Sequence, residues 1–183
     1  QDLGDARIIR LQTVPLVDEI DYTLTVTGVE DLFSNVLGSE EIGFALGLPT
    51  PGSVIVTEVM VDPGAVADAE GEYIELYNTT QDTIDIDGWS FHDNAIDSFT
   101  IDTSFIIPPQ AFSLVMRKTD SLINGNITHE RMYDWGAGTD MALQNDDQII
   151  IRFRGITVDS VDYSLSAGWP IIEGASMVLT DFT

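Results

Sequence analysis

No cysteine occurs in the 183 residues, which excludes a disulfide framework, thiol catalysis and cysteine-bound zinc. Histidine is almost as scarce, with His92 and His129 alone, and catalytic zinc usually draws on two or three imidazoles. Seven basic residues stand against 31 acidic ones, for a formal net charge of −24. Phosphate recognition needs clustered Lys and Arg, so no nucleic-acid partner is expected, nor an anionic membrane surface. No apolar run approaches the roughly 20 residues of a membrane span, so direct insertion is not expected. The Gly-x-Ser-x-Gly elbow of many hydrolases is missing, as are an internal repeat and a long amphipathic helix.

Gln1-Asp2-Leu3 lacks the basic and apolar stretches of a signal peptide, as expected of a processed chain or a fragment. What remains is ample apolar material, 44% of residues, in short runs between Gly, Pro, Asn and Asp. That punctuation is the mark of an all-β sandwich built from hairpins. Residues 6–47 read as three strands: Ile8, Ile9 and Leu11; then Tyr22, Leu24 and Val26; then 42–46. Leu48-Pro49-Thr50-Pro51-Gly52-Ser53 stops strand pairing and is read as a linker over 48–53. The expected organisation is a short N-terminal β segment (1–47), the linker, and a large β-sandwich domain (54–183).

In the large domain, strands are expected near 54–60, 72–77, 83–86, 88–92, 98–101, 111–116, 148–154, 157–163 and 176–180. The stretch 118–147 is polar and irregular, read as a long loop with one short helix around 139–143; loops of that length often carry function.

Several groups are candidates for chemistry. Glu58, Glu72 and Glu75 fall on strands expected to be neighbours, where paired carboxylates serve as acid and base or hold a cation. Alternation places Glu75 with Tyr73 and Tyr77, and Glu58 with Val54, Val56 and Met60. Calcium is the one cofactor the acidic loops offer, through Asp62, Asp68 and Glu70, through Asp82, Asp85 and Asp87, and through Asp140, Asp146 and Asp147. The second group is not an EF-hand, since Thr83 holds the first position and Asn94 the twelfth. Each group competes with the simpler reading of a hydrogen-bonded turn. His92-Asp93 beside Ser90 has the composition of a triad without its elbow. Trp89 is expected in the core. Tyr133, Trp135 and Trp169 lie in loops, where exposed aromatics stack on sugar rings or pack beneath the loop. Asn78-Thr79-Thr80 and Asn126-Ile127-Thr128 match the glycosylation pattern, read as chance matches.

The order of motifs also resembles a known family. Ile55 to Val59 opens as Ile-x-x-Glu-Val. Glu72-Tyr73-Ile74-Glu75-Leu76 with Asn78 follows, then Asp85 through Gly88-Trp89 to Asp93. Pro108-Pro109-Gln110, Leu143-Gln144-Asn145-Asp146-Asp147, Val158-Asp159 with Tyr163, and Trp169-Pro170 with Gly174-Ala175-Ser176 and Leu179 complete the series. In this order they resemble the lamin tail domain in its bacterial, secreted form. Phe91 stands where Leu is common, and Gln110 where Gly is expected. The stretch from Tyr22 to Leu37 is similar to the end of a bacterial Ig-like domain, whose first half would then precede Gln1.

The resemblance implies an Ig-like sandwich without catalytic activity, in a secreted or cell-surface bacterial protein. It implies as partners the neighbouring domains of that protein and a protein or polysaccharide ligand. A carbohydrate-binding module attached to a secreted hydrolase, using Tyr133, Trp135 and Trp169, is the alternative.

Overall fold

The computed structural model describes residues 13, 21–30, 33–36, 38–45, 47–93, 97–136 and 141–179. Two compact units divide the chain, Gln1–Leu48 and Pro49–Thr183. In the first, β1 (Asp21–Val26) pairs antiparallel with β2 (Glu40–Ala45). Tyr22, Leu24 and Val26 are half-buried while Thr23 and Thr25 are exposed, the period-two pattern of a one-sided strand. The strand expected at Ile8 to Leu11 lies outside the described residues.

The second unit is an all-β, Ig-like sandwich. Its larger sheet is built from β3 (Val54–Met60), β4 (Tyr73–Asn78), β9 (Phe112–Met116), β10 (Met132–Asp134) and β13 (Met177–Val178). Their spatial order is β10-β9-β4-β3-β13, antiparallel except for the parallel β9–β10 pair. The facing sheet contains β6 (Ser90–His92), β7 (Ser98–Thr100), β11 (Asp146–Phe153) and β12 (Ile156–Ser164), in the order β12-β11-β6-β7. A separate short pair joins β5 (Ile84–Asp85) to β8 (Ile106–Ile107).

The core forms because strand alternation turns Val54, Val56, Ile74 and Leu76 towards Phe91, Ile149 and Ile151. Through it runs an aromatic ladder. Phe91 and Phe99 stack at 4.7 Å between centroids, and Phe99 and Trp135 at 5.1 Å. Trp89 is buried, as expected.

Three local readings change. Val56 pairs with Leu76 but Glu58 pairs with Glu75, so Thr57 is an extra residue, a β-bulge. The bulge resets alternation, and the buried set after it is Val59 and Val61. Glu58 therefore shares an outward face with Met60 but not with Val54 or Val56. β9, expected to be half-buried, is covered on both faces: Ser113 and Val115 point into the sandwich, while Leu114 and Met116 are also buried. The loop after β9 provides that cover, with buried Asn124 against the Met116 sulfur. Finally, the one described α-helix is α1 (Asp68–Gly71). Residues 141–143 are not helical; the rest of the helix expected at 139–143 lies outside the described residues.

Candidate functional site

Glu58 and Glu75 meet as directly opposed cross-strand partners on the outward face of the larger sheet. The Tyr73 hydroxyl donates to Glu58 Oε1, and the Thr57 hydroxyl of the bulge donates to Glu75 Oε1 at 2.7 Å. Each carboxylate is thus held by a neighbouring hydroxyl. Burial is the first cause that pushes the Tyr73 phenol above its ordinary range, and its bond to Glu58 adds to it.

Glu72 behaves differently, because it precedes β4 and turns inward. Its Oε2 accepts from Arg117 Nε at 2.8 Å, and the two side chains are 1% and 5% exposed. The Arg117 guanidinium also lies 5.8 Å over the Trp135 ring. Desolvation raises the Glu72 carboxyl, and the Arg117 bond and the Leu143 amide lower it; the balance leaves it raised to about 7. Asp62, Asp68, Leu143 and Gln144 line a shallow cleft beside this pair.

The acidic loops fasten their own backbone. Asp85 accepts from the amides of Asp87 (3.1 Å) and Phe105 (2.9 Å) and from the Ser104 hydroxyl (2.7 Å), closing the turn beside β5 and β8. Asp146 accepts from the Ser164 hydroxyl and the Ser166 amide, and these bonds lower its pKa. Asp147 accepts from the amides of Gln144 and Gln148, although burial still raises it. The Asp82 carbonyl accepts from Asn78 and Thr80, while the Asp68 carbonyl accepts from the Glu72 amide. Glu70 lies in α1 with Asp68. Among the described residues, no three acidic or histidine side chains converge as a metal site would require. Asp140 lies outside the described residues.

The aromatic candidates separate. Trp135 is 4% exposed and belongs to the core ladder, its indole N–H donating to the Met141 carbonyl at 3.3 Å. Tyr133 is half-buried, bonded to Asp102 at 2.8 Å and packed on Phe105. Trp169 is 40% exposed, tilted over Tyr163, so the three do not form one sugar platform. His92 Nε2 lies 2.8 Å from the Ser90 hydroxyl on the outer face of the smaller sheet. His129 bonds the Arg131 backbone. Asn78 is fully buried. Its amide donates to the carbonyls of Asp82, Ile107 and Pro108, and its Oδ1 accepts from Thr80. A glycan cannot reach it in the folded domain.

Sequence reasoning missed a groove along one side of the sandwich. There β12, the edge of the smaller sheet, faces β3 and β13, the edge of the larger. Asp159 Oδ2 bridges the sheets by accepting the Val56 amide at 2.7 Å. The alternation of Asp159, Val161 and Tyr163 was the available signal, but which edge β12 faces depends on pairing far apart in the chain.

Residues 48–164 match the family model described as the Lamin Tail Domain, more than half of the chain. No curated protein matches.

Proposed function

This chain belongs to the lamin tail domain family, and we propose that it serves as a non-catalytic structural and binding module of a secreted or cell-surface protein. The observation that carries this reading is how its polar groups are used. Asp85, Asp146 and Asp147 clasp loop amides, Glu72 pairs with Arg117 in the interior, and Glu58 and Glu75 accept hydroxyls from Tyr73 and Thr57. An acid–base site needs a carboxylate positioned for a proton on substrate, within a cleft that excludes water. Here Glu58 and Glu75 are each already held by a hydroxyl, of Tyr73 and of Thr57, and the groove that Glu58 borders is open to water. The Ser90–His92 contact has the spacing of alternate residues on one strand, with no loop elbow to expose the hydroxyl to substrate.

A rigid sandwich suits the role of holding neighbouring domains at fixed separation. The polysaccharide reading is weaker, since Trp135 is in the core and Trp169 alone among the three aromatics is strongly exposed. The test is a panel of glycosidic, phosphodiester, ester and peptide substrates, run on the protein and on its Glu58→Gln/Glu75→Gln double variant. No turnover above background is expected from either. Turnover present in the protein and lost in the variant would overturn the reading.

A further inference from the structure

The groove along the sandwich side has features that a scaffold does not require. β13 is two residues long and covers only Glu58 and Val59 of the β3 edge. Beyond it lies an open groove of about 570 Å³. Ile55 and Val161 are half-buried within it, while Trp169, Val178 and Leu179 stand 40%, 57% and 44% exposed along its wall. Contiguous large apolar side chains left accessible in this way mark interaction surfaces more often than bare solvent contact.

The charge at the groove is of one sign. Glu58, Asp159 and Asp162 line it, and among the described residues no Lys or Arg does. An anionic partner is therefore repelled, and a cationic one is steered in. The exposed Trp169 ring adds a face on which a guanidinium or ammonium group can rest.

The backbone at this edge is already engaged. The Val56 amide donates to Asp159, and the Leu179 amide donates to the Thr57 carbonyl at 2.7 Å. Strand addition at those atoms would have to break existing bonds. Along the β3 wall recognition therefore runs through side chains. An extended segment, with alternate residues on opposite sides, can set aliphatic groups on the apolar wall and cations against the carboxylates.

We infer that this groove docks a basic, extended polypeptide segment in which Lys or Arg alternates with aliphatic residues. This deepens the binding-module reading and rests on it.

The probe is a synthetic ten-residue peptide alternating Lys or Arg with Val or Leu, titrated into the 183-residue chain while tryptophan fluorescence and heat are followed. Its counterpart carries Glu at every basic position. Saturable binding of the basic peptide is expected, with none of the acidic one. Asp162→Lys reverses a charge at an exposed position, and Trp169→Ala removes the aromatic wall. Each should weaken binding tenfold or more, with the Asp162→Lys melting temperature unchanged. No binding would overturn the inference. So would equal binding by the protein and both variants, the signature of attraction to overall negative charge. Quenching of Trp169 by neutral oligosaccharides, with no response to the peptide, would overturn it in favour of a sugar ligand. Failure of the peptide with no turnover in the substrate panel rejects the groove alone; turnover lost on changing Glu58 and Glu75 rejects the module reading.

Discussion

Arg117 Nε donates to Glu72 Oε2 at 2.8 Å, and each side chain is at most 5% exposed. The two residues are 45 positions apart and close the sandwich next to the aromatic ladder that ends at Trp135. Removing one partner from such a pair strands a buried charge, which costs about 3–5 kcal/mol. Arg117→Met should therefore lower the urea midpoint steeply. Replacing both residues, as Glu72→Leu with Arg117→Met, should recover much of the loss. A double variant as unstable as the sum of its single changes would contradict this coupling.

The same pair sets a pH dependence. Glu72 has an ordinary value of 4.5 and is raised to about 7 in the fold, chiefly by desolvation. A carboxyl raised on folding holds its proton more tightly in the native state. Its contribution is complete below pH 4.5 and is lost as pH rises through about 7. Between pH 5 and 8 the protein should lose more stability than its Glu72→Gln variant, by at most about 3 kcal/mol. Denaturant midpoints of both proteins across that range provide the check. Parallel pH profiles would show that Glu72 does not titrate in the window.

Arg117 also shows where legibility in the sequence ends. The strands at 54–60 and 112–116 and the turn before Trp89 are carried by period-two alternation and Gly/Pro punctuation, which are local. Arg117 follows Met116 in an alternating run and reads as solvent-facing there. Its burial depends on Glu72, and nothing local announces that partner. The bulge at Thr57 inverts the face of Glu58 by one extra residue, which no periodicity count detects. β8 and β10, at two and three residues, are too short to show a period. The acidic loops were legible as turns or as cation sites; only their hydrogen bonds, such as those to Asp85, tell the two apart.

Asn78 is a second interior fastener. Asn78→Leu keeps the branched shape but removes the side-chain donor to the carbonyls of Asp82, Ile107 and Pro108. The Thr80 hydroxyl and the Ala111 amide still reach Asp82 and Pro108, so the bond to Ile107 is the one lost in the interior. A buried acceptor deprived of its side-chain donor is costly, so a loss of about 2 kcal/mol is expected from chemical denaturation. A change smaller than about 1 kcal/mol would mean that water replaces the side chain without cost.

Asp85 and Asp87 separate clasp from surface charge. Asp85→Ala removes three hydrogen bonds to Asp87, Ser104 and Phe105, and should cost about 1–2 kcal/mol. Asp87→Ala changes an exposed carboxylate and should remain within about 0.5 kcal/mol of the parent. Amide exchange at Phe105 is the local readout, faster in the first variant and unchanged in the second. Equal effects would show that charge, rather than the clasp, governs this turn.

The central claim is that the loop carboxylates Asp85, Asp146 and Asp147 fasten the domain's own chain rather than hold a cation. Thermal unfolding in millimolar calcium, against the same buffer with EDTA at fixed ionic strength, tests it most directly. A cation present at about 100 times its dissociation constant would add roughly 2.7 kcal/mol. The account predicts superimposable melting curves. A large upward shift in calcium would contradict it and make the loops around Asp62, Asp85 and Asp147 metal ligands.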